Sequence, residues 1–138
     1  MPFIHLVGQS YQKRQIGDLQ CNVARLQTVG GLSKSTKAIQ TAITAAGSDS
    51  ATVSQLQTAA QGISSAQDGV KTIAEALLTL QQAPAAARQQ VEDGLTAASS
   101  ALSSVSSSDS AVTSAVSEAQ SAVTSTTAAG QKVVADCK

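Results

Sequence analysis

The chain has 138 residues and no net charge, because nine Lys and Arg residues balance nine Asp and Glu residues. A nucleic-acid-binding surface or a polybasic membrane anchor needs an excess of basic residues, so this balance speaks against both. Ala, Ser, Thr and Gln supply 74 of the 138 residues, and no apolar run approaches the roughly 18 residues of a transmembrane helix.

The first fourteen residues differ in composition from the rest of the chain. They contain the only Phe, Tyr and His residues of the sequence. The pair Lys13-Arg14 precedes Gln15 and has the form of a dibasic processing site of the secretory pathway. We predict that residues 1–14 are a propeptide-like segment or a flexible tail, and that residues 15–138 form a helical bundle domain.

After this segment, apolar residues recur three or four positions apart, which is the spacing of an amphipathic helix and not the alternation of a β-strand. The pattern predicts four helices, over residues 18–46, 49–82, 84–106 and 109–136, with 104–110 as a loop. Their larger apolar residues predict a seam along the core. This predicted seam consists of Leu19, Val23, Leu26, Ile39, Ile43, Val53, Leu56, Ile63, Val70, Ile73, Leu77, Leu80, Val91, Leu95, Leu102, Val112, Val116, Val123 and Val133.

Residues with known preferences for helix ends agree with these boundaries. Gly47 suits the left-handed position after a helix, Asp49 and Asp109 suit N-caps, and Pro84 suits the first helical position. The pair Gly30-Gly31 predicts a kink or a break in the first helix, and a full break would give five helices.

Gly62, Gly69 and Gly94 lie inside predicted helices, where each weakens its helix by about 1 kcal/mol relative to alanine. We predict that they allow neighbouring helices to approach closely. The core they belong to is thin, because it holds Val, Ala, Ile and Leu but no aromatic ring. Such residues form either a slim solid rod, which we favour, or an internal groove for a lipid chain.

The two cysteines decide between topologies. Cys21 lies near the start of the first predicted helix, and Cys137 is the next-to-last residue. Cysteines at the two ends of a folded region are typical of a disulfide in an oxidising compartment, whereas free thiols are expected in the cytosol. The dibasic pair and the Ser/Thr-rich composition favour the disulfide. Since four alternating arms bring both cysteines to one end, we predict an all-α, up-down bundle of four helical arms.

Side chains suited to catalysis are scarce. The only histidine, His5, lies in the N-terminal segment, so a catalytic triad or a histidine zinc site lacks its central residue. Glu92 and Asp93 follow Arg88 by about one helical turn and are expected on a solvated face with a weak ion pair. We predict that the protein is not an enzyme and that it holds no cofactor and no metal.

Two resemblances rest on short stretches of sequence. Residues 59–63 (AAQGI), 69–73 (GVKTI) and 97–102 (AASSAL) resemble small secreted fungal proteins of the hydrophobic surface binding protein A and cell-wall galactomannoprotein kind. That resemblance implies a helical bundle that adsorbs to hydrophobic surfaces or binds lipids, although the terminal cysteine pair departs from the typical pattern. Residues 14–25 (RQIGDLQCNVAR) and 133–137 (VVADC) are similar to the small subunit of heterodimeric mushroom laccases. This second resemblance implies a non-catalytic partner of a copper oxidase.

The expected function is therefore exercised through a surface. The first hypothesis is a secreted or cell-wall protein that binds a hydrophobic surface or lipid. The alternative is an accessory subunit that binds and stabilises a larger secreted oxidase. A third hypothesis, an ice-binding helix, rests only on two isolated threonine pairs eleven residues apart, Thr41 with Thr52 and Thr113 with Thr124.

Overall fold

The computed structural model describes residues 19–137, and α-helices make up 87% of this part of the chain. The helices are α1 (Leu19–Ala46), α2 (Ser50–Leu78), α3 (Ala85–Ser103) and α4 (Ser110–Asp136). No strand occurs among the described residues, so the predicted all-α class is confirmed. The predicted N-terminal segment, the Lys13-Arg14 site and the domain boundary at residue 15 lie outside the described residues.

The four helices form an up-down bundle made of two tightly packed pairs. Helix α1 packs mainly against α4, and α2 packs mainly against α3. Contacts between the pairs, along α1–α2 and α3–α4, are less extensive. Short connections join antiparallel neighbours, so the start of α1 and the end of α4 lie at the same end of the bundle. We call this the disulfide end, because Cys21 and Cys137 are bonded there.

Aspartate side chains begin two of the helices, as predicted. Asp49 accepts hydrogen bonds from the backbone N–H of Thr52, at 3.2 Å, and from its hydroxyl, at 2.7 Å. Asp109 accepts one from the backbone N–H of Ala111, at 2.9 Å. Pro84 precedes α3 as its N-cap and is not its first helical residue, which corrects the prediction by one position. Its carbonyl accepts the first helical hydrogen bond, from Arg88, while its ψ of 136° is extended.

The cap at Asp49 predicts an acid dependence of stability. The hydroxyl and the backbone N–H of Thr52 lower the pKa of the Asp49 carboxyl. Its stabilisation is therefore complete above the unfolded-state pKa of about 3.9 and is lost as the pH falls through the lower folded-state pKa. Asparagine also caps helices but does not titrate. From about pH 4.5 to about pH 2, we expect the melting temperature of the wild type to fall more steeply than that of Asp49→Asn. Parallel pH profiles of the two proteins would contradict this.

Helix α1 runs without a break through Gly30 and Gly31, so the five-helix alternative is wrong. The two glycines have different surroundings. A Cβ on Gly31 would collide with the hydroxyl of Thr126 on α4, whereas a Cβ on Gly30 would meet open space. Gly31 therefore permits close packing of α1 on α4, and the hydrogen bonds of the surrounding helix keep the pair helical.

The core cluster draws on all four helices and is built from small and branched side chains. Eight residues of the predicted seam are buried: Ile39, Leu56, Ile63, Val91, Leu95, Leu102, Val112 and Val123. Seven are half-buried: Ile43, Val53, Val70, Ile73, Leu77, Val116 and Val133. Many of the remaining core positions are alanines, which explains how a core without aromatic rings is closed.

Four residues of the predicted seam are exposed instead: Leu19, Val23, Leu26 and Leu80. The first part of α1 carries two rows with helical spacing on opposite faces. The buried row begins with Cys21, Ala24 and Thr28, whose small side chains let α4 approach. The row of larger residues therefore faces outward. Leu80 lies beyond the end of α2, in the connection to α3.

Glycines bring α2 and α3 together, as predicted. A Cβ on Gly62 would lie 2.6 Å from the carbonyl oxygen of Gly94, and a Cβ on Gly94 would collide with the carbonyl of Gly62. A Cβ on Gly69 would lie 2.8 Å from the carbonyl oxygen of Ala87. Because these neighbours are backbone atoms, only separation of the helices would make room for a side chain.

Buried hydroxyl groups in the α1–α4 pair are satisfied within their own helices. Thr28 donates to the carbonyl of Ala24 at 2.8 Å, and Thr126 donates to the carbonyl of Ala122 at 2.6 Å. Ser35 donates to the carbonyl of the residue four positions before it, at 2.8 Å. Ser and Thr can therefore enter this interface without an unpaired polar group, whose burial would be unfavourable.

Candidate interaction surface

Large apolar side chains are exposed in only one half of the bundle, among the residues that the structure describes. They lie in the first half of α1, at the end of α2 and in the following turn, and near the end of α4, all in the half that carries the disulfide. We call them the apolar end, which consists of Leu19, Val23, Leu26, Val29, Leu78, Leu80 and Val134. Exposed apolar side chains gathered in one region are typical of an interaction site.

On α1, the apolar end forms a stripe along the outer face. Leu19, Val23 and Leu26 follow one another at steps of four and three residues, which places them on one side of the helix. The buried Cys21, Ala24 and Thr28 occupy the opposite side. Leu19 is 76% exposed and Leu26 is 72% exposed, so neither contributes much to the core. This part of α1 therefore presents apolar residues both to α4 and to the outside.

Leu80 combines exposure with an unfavourable backbone conformation. Its φ is 59°, in the left-handed region that non-glycine residues rarely adopt, and its side chain is 66% exposed. The N–H of Leu80 bonds to the carbonyl of Leu77, and that of Gln81 bonds to the carbonyl of Ala76. These two bonds form a Schellman motif, in which glycine usually occupies the left-handed position.

The chain uses the usual residue at the corresponding point of α1. Gly47, with a φ of 58°, follows the last residue of that helix. Leucine at position 80 therefore improves neither the turn nor the core. Strained residues are frequent at functional sites, which makes Leu80 the most informative residue of the apolar end.

A pocket of about 210 Å³ opens at the same end of the molecule. Its lining combines apolar side chains from α2 and α4, polar atoms, and two arginines, Arg25 of α1 and Arg88 of α3. The Arg25 side chain donates a hydrogen bond to Asn22 at 3.2 Å, but its Nε is buried without a partner. Partial burial lowers the pKa of the Arg25 guanidinium, because it removes water from the charged group.

A larger groove of about 1360 Å³ follows the outside of the α1–α4 seam. Its walls consist of Ser, Thr, Gly and Ala, with Gln27, Glu118 and three lysines, Lys34, Lys37 and Lys132. It has no Leu, Ile or Val in its lining, so it does not have the apolar walls that an acyl chain requires.

The disulfide joins Cys21 to Cys137 across 116 positions of sequence, with their Cα atoms 5.0 Å apart. Both residues are buried. The predicted pairing, and with it the four-arm topology, is confirmed. The bond fastens the start of α1 to the end of α4, directly beside the apolar end and the arginine pocket.

The carboxylates singled out in the sequence do not form a site. Asp93 accepts a hydrogen bond from Gln89 at 2.9 Å. The predicted ion pair between Glu92 and Arg88 is not formed. Arg88 lines the pocket at the disulfide end. Within residues 19–137, no three His, Cys, Asp or Glu side chains come together as potential metal ligands. No helix in this part of the chain is long and apolar enough to cross a membrane.

Comparison of the chain with protein families, with curated proteins and with solved structures finds no match.

Proposed function

We propose that this protein is a non-catalytic, secreted helical bundle that adsorbs to hydrophobic or lipid-coated surfaces, such as those at a cell wall, through its apolar end. The observation that carries the proposal is Leu80, whose side chain is exposed and does not pack in the core, and whose backbone has an unfavourable left-handed conformation. Leu78, 83% exposed, lies two residues before it, and the outer stripe of α1 belongs to the same half of the bundle. Adsorption would bury these side chains and so explain why they are apolar.

The polar character of the rest of the molecule supports this orientation. The half of the bundle opposite the disulfide end is called the far half. Among residues 19–137, every exposed residue of the far half is small, polar or charged. The protein is therefore amphipathic along its length, and contact through the apolar end leaves the polar end in water. The disulfide supports secretion, because such bonds persist in oxidising compartments. The resemblance to hydrophobic surface binding proteins, noted from sequence, agrees with the same function.

The proposal predicts a large loss of adsorption when the apolar end is made polar. The test variant replaces Leu19, Leu26, Leu78 and Leu80 by glutamine. Burial of each leucine contributes about 1.5–3 kcal/mol, so we expect affinity for polystyrene beads or an oil–water interface to fall by at least about two orders of magnitude. Adsorption isotherms and interfacial tension measure this effect.

A matched control carries the same number of glutamines at exposed positions of the far half. It replaces Thr44, Ser54, Ser100 and Ser114. We expect the control to adsorb as the wild type does, and both variants to keep the helical circular dichroism spectrum. Equal adsorption by the two variants would show that the apolar end is not the contact surface, and the proposal would be wrong.

Leu80→Gly separates adsorption from folding. Glycine adopts the left-handed conformation freely but has more freedom in the unfolded chain, so stability should stay unchanged or rise by up to about 1 kcal/mol. Adsorption should fall, because one of the exposed leucines is lost. Denaturant titration and bead binding on the same samples test both effects. Unchanged adsorption would show that Leu80 does not contribute to the contact surface.

The outer stripe of α1 favours a second candidate function, that of an accessory subunit. An exposed apolar row on one helix suits a protein partner as well as a hydrophobic surface. The similarity of residues 14–25 and 133–137 to laccase small subunits suggests that this partner is a larger secreted oxidase. This hypothesis predicts co-elution with a large enzyme at fixed stoichiometry. Replacing Leu19, Val23 and Leu26 by glutamine should abolish co-elution, while Leu80→Gly should leave it intact.

The two functions are distinguished by the pure protein. If it coats hydrophobic beads, and a companion oxidase keeps its yield and stability without it, the subunit hypothesis is wrong. If the pure protein does not adsorb, while a large enzyme co-elutes with it, the adsorption hypothesis is wrong.

A further inference from the structure

The pocket at the disulfide end has an unbalanced charge. Arg25 and Arg88 line its wall, and no acidic side chain does. Neither arginine forms an ion pair with a residue of the described range 19–137. The chain as a whole has no net charge, so two guanidinium groups around about 210 Å³ are a local excess. Like charges that share a pocket repel one another unless an anion lies between them.

Arg25 also has an incomplete set of hydrogen bonds. It donates to the side-chain oxygen of Asn22, but its Nε is buried and unpartnered. A buried donor without a partner is unfavourable, and more so on a charged group. Because Nε has almost no accessible surface, a ligand in the pocket would bind the terminal nitrogens of the Arg25 guanidinium group and not Nε. Guanidinium groups bind carboxylate and phosphate oxygens in paired hydrogen bonds, so the acceptor best suited to the pocket is an oxyanion.

The remaining walls indicate which kind of oxyanion fits. Ile73, Val133 and Val134 contribute apolar side chains, together with Ala83. A fully hydrated inorganic ion gains nothing from such walls, whereas a short hydrocarbon chain gains from leaving water. A pocket of about 210 Å³ suits a small molecule.

We propose that this pocket binds a small organic monocarboxylate, with the carboxylate between Arg25 and Arg88 and its hydrocarbon part against Ile73, Val133 and Val134. The pocket shares Val134 with the apolar end, but the two arginines that would hold the carboxylate do not belong to the apolar end. Binding takes place in solution and requires no hydrophobic surface, so this proposal does not depend on the proposed adsorption.

Hexanoate is a suitable probe for the full chain, and NMR of the arginine side chains provides the readout. We expect hexanoate to shift the Nε–H signals of Arg25 and Arg88 in a saturable manner. Arg25→Gln and Arg88→Gln should each weaken binding by at least about tenfold, because a hydrogen bond to a charged group is lost. Arg88→Lys, which keeps the charge but not the planar fork, should lie between the wild type and Arg88→Gln.

Controls separate the pocket from general charge effects. Lys34→Gln removes a cation from the α1–α4 groove and should leave the affinity for hexanoate unchanged. Hexanol and hexylammonium, which have the same chain without the carboxylate, should not bind. Thermal unfolding of every variant verifies that the bundle is intact.

Three outcomes would overturn the proposal. Absence of a saturable shift at Arg25 would show that the pocket takes no carboxylate. Retention of binding by the Arg25→Gln/Arg88→Gln double variant would place the ligand elsewhere. Equal affinity for inorganic phosphate and hexanoate would show that the apolar walls contribute nothing, so the ligand class would be wrong. None of these outcomes bears on adsorption to beads, which is measured separately.

Discussion

Replacing Gly62 by alanine is expected to destabilise the bundle by about 1–3 kcal/mol, although alanine favours helix by about 1 kcal/mol. The added Cβ would lie 2.6 Å from the carbonyl oxygen of Gly94 and 2.9 Å from the backbone nitrogen of Ala98. Backbone atoms inside a helix cannot turn aside as the end of a side chain can. The pair α2–α3 would have to separate along its length, with loss of the contacts that hold it together.

Gly30→Ala is the matched control for this substitution. Gly30 also lies inside a long helix, but a Cβ there meets no atom within 4 Å. The same chemical change should therefore stabilise the protein by up to about 1 kcal/mol, from helix propensity alone. Urea titration followed by circular dichroism measures both. Stabilisation by Gly62→Ala, or destabilisation of similar size by both variants, would contradict the close packing of α2 on α3.

Removing the disulfide is expected to have the largest effect on stability. The bond closes a loop of 116 positions, for which the chain-entropy model gives a stabilisation of about 4–5 kcal/mol. For a chain of this size, such a loss corresponds to a fall in melting temperature of more than about 10 °C. Helix content at low temperature should persist, because the glycine contacts within each pair do not depend on the bond.

The double variant Cys21→Ala/Cys137→Ala provides the comparison. Its melting temperature should be the same with and without a reducing agent, and should match that of the reduced wild type. Mass spectrometry after thiol alkylation identifies the oxidised form. A melting temperature of the wild type that does not respond to reduction, or two free thiols in secreted material, would refute a stabilising bridge.

The sequence was sufficient to predict four helices, the aspartate N-caps and the topology, but the predicted ends of α2 and α3 at 82 and 106 were wrong, since these helices end at Leu78 and Ser103. Three-and-four spacing depends on local geometry, and the pairing of Cys21 with Cys137 restricts the number of arms to an even one. The role of Gly62, Gly69 and Gly94 could also be predicted. Glycine destabilises a helix, so its presence inside one indicates a compensating close contact between helices. These inferences require only near neighbours in sequence or a single covalent link.

The candidate surface was not predicted, and α1 explains why. Its first turns carry a row of large apolar residues, such as Leu19 and Leu26, and an opposite row of small ones, such as Cys21 and Ala24. Hydrophobicity alone favours burial of the large row, but close packing against α4 requires the small one. The position of Cys21 could have indicated the buried face of α1. A cysteine bonded to Cys137 must lie on the side of α1 that packs against α4.

The arginine pocket was missed for a different reason. Arg88 stands one turn before Glu92, and this local pattern suggested an ion pair. The structure turns Arg88 towards the pocket that Arg25 also lines. Two residues more than sixty positions apart in the chain meet there only because α1 and α3 both begin at the disulfide end. Such a juxtaposition depends on tertiary structure and has no periodic signal in the sequence.

The division into two tight pairs has a mechanical consequence. Both connections between the pairs, residues 47–49 and 104–109, lie at the end opposite the disulfide. A force that pulls the two helix pairs apart would rotate them about these connections, which act as a hinge. The bond between Cys21 and Cys137 would not oppose this movement, because it joins two helices of the same pair. The two helix pairs would separate at the end of the bundle that carries the apolar end, and the core residues Leu32 and Ile63 would become accessible from that end.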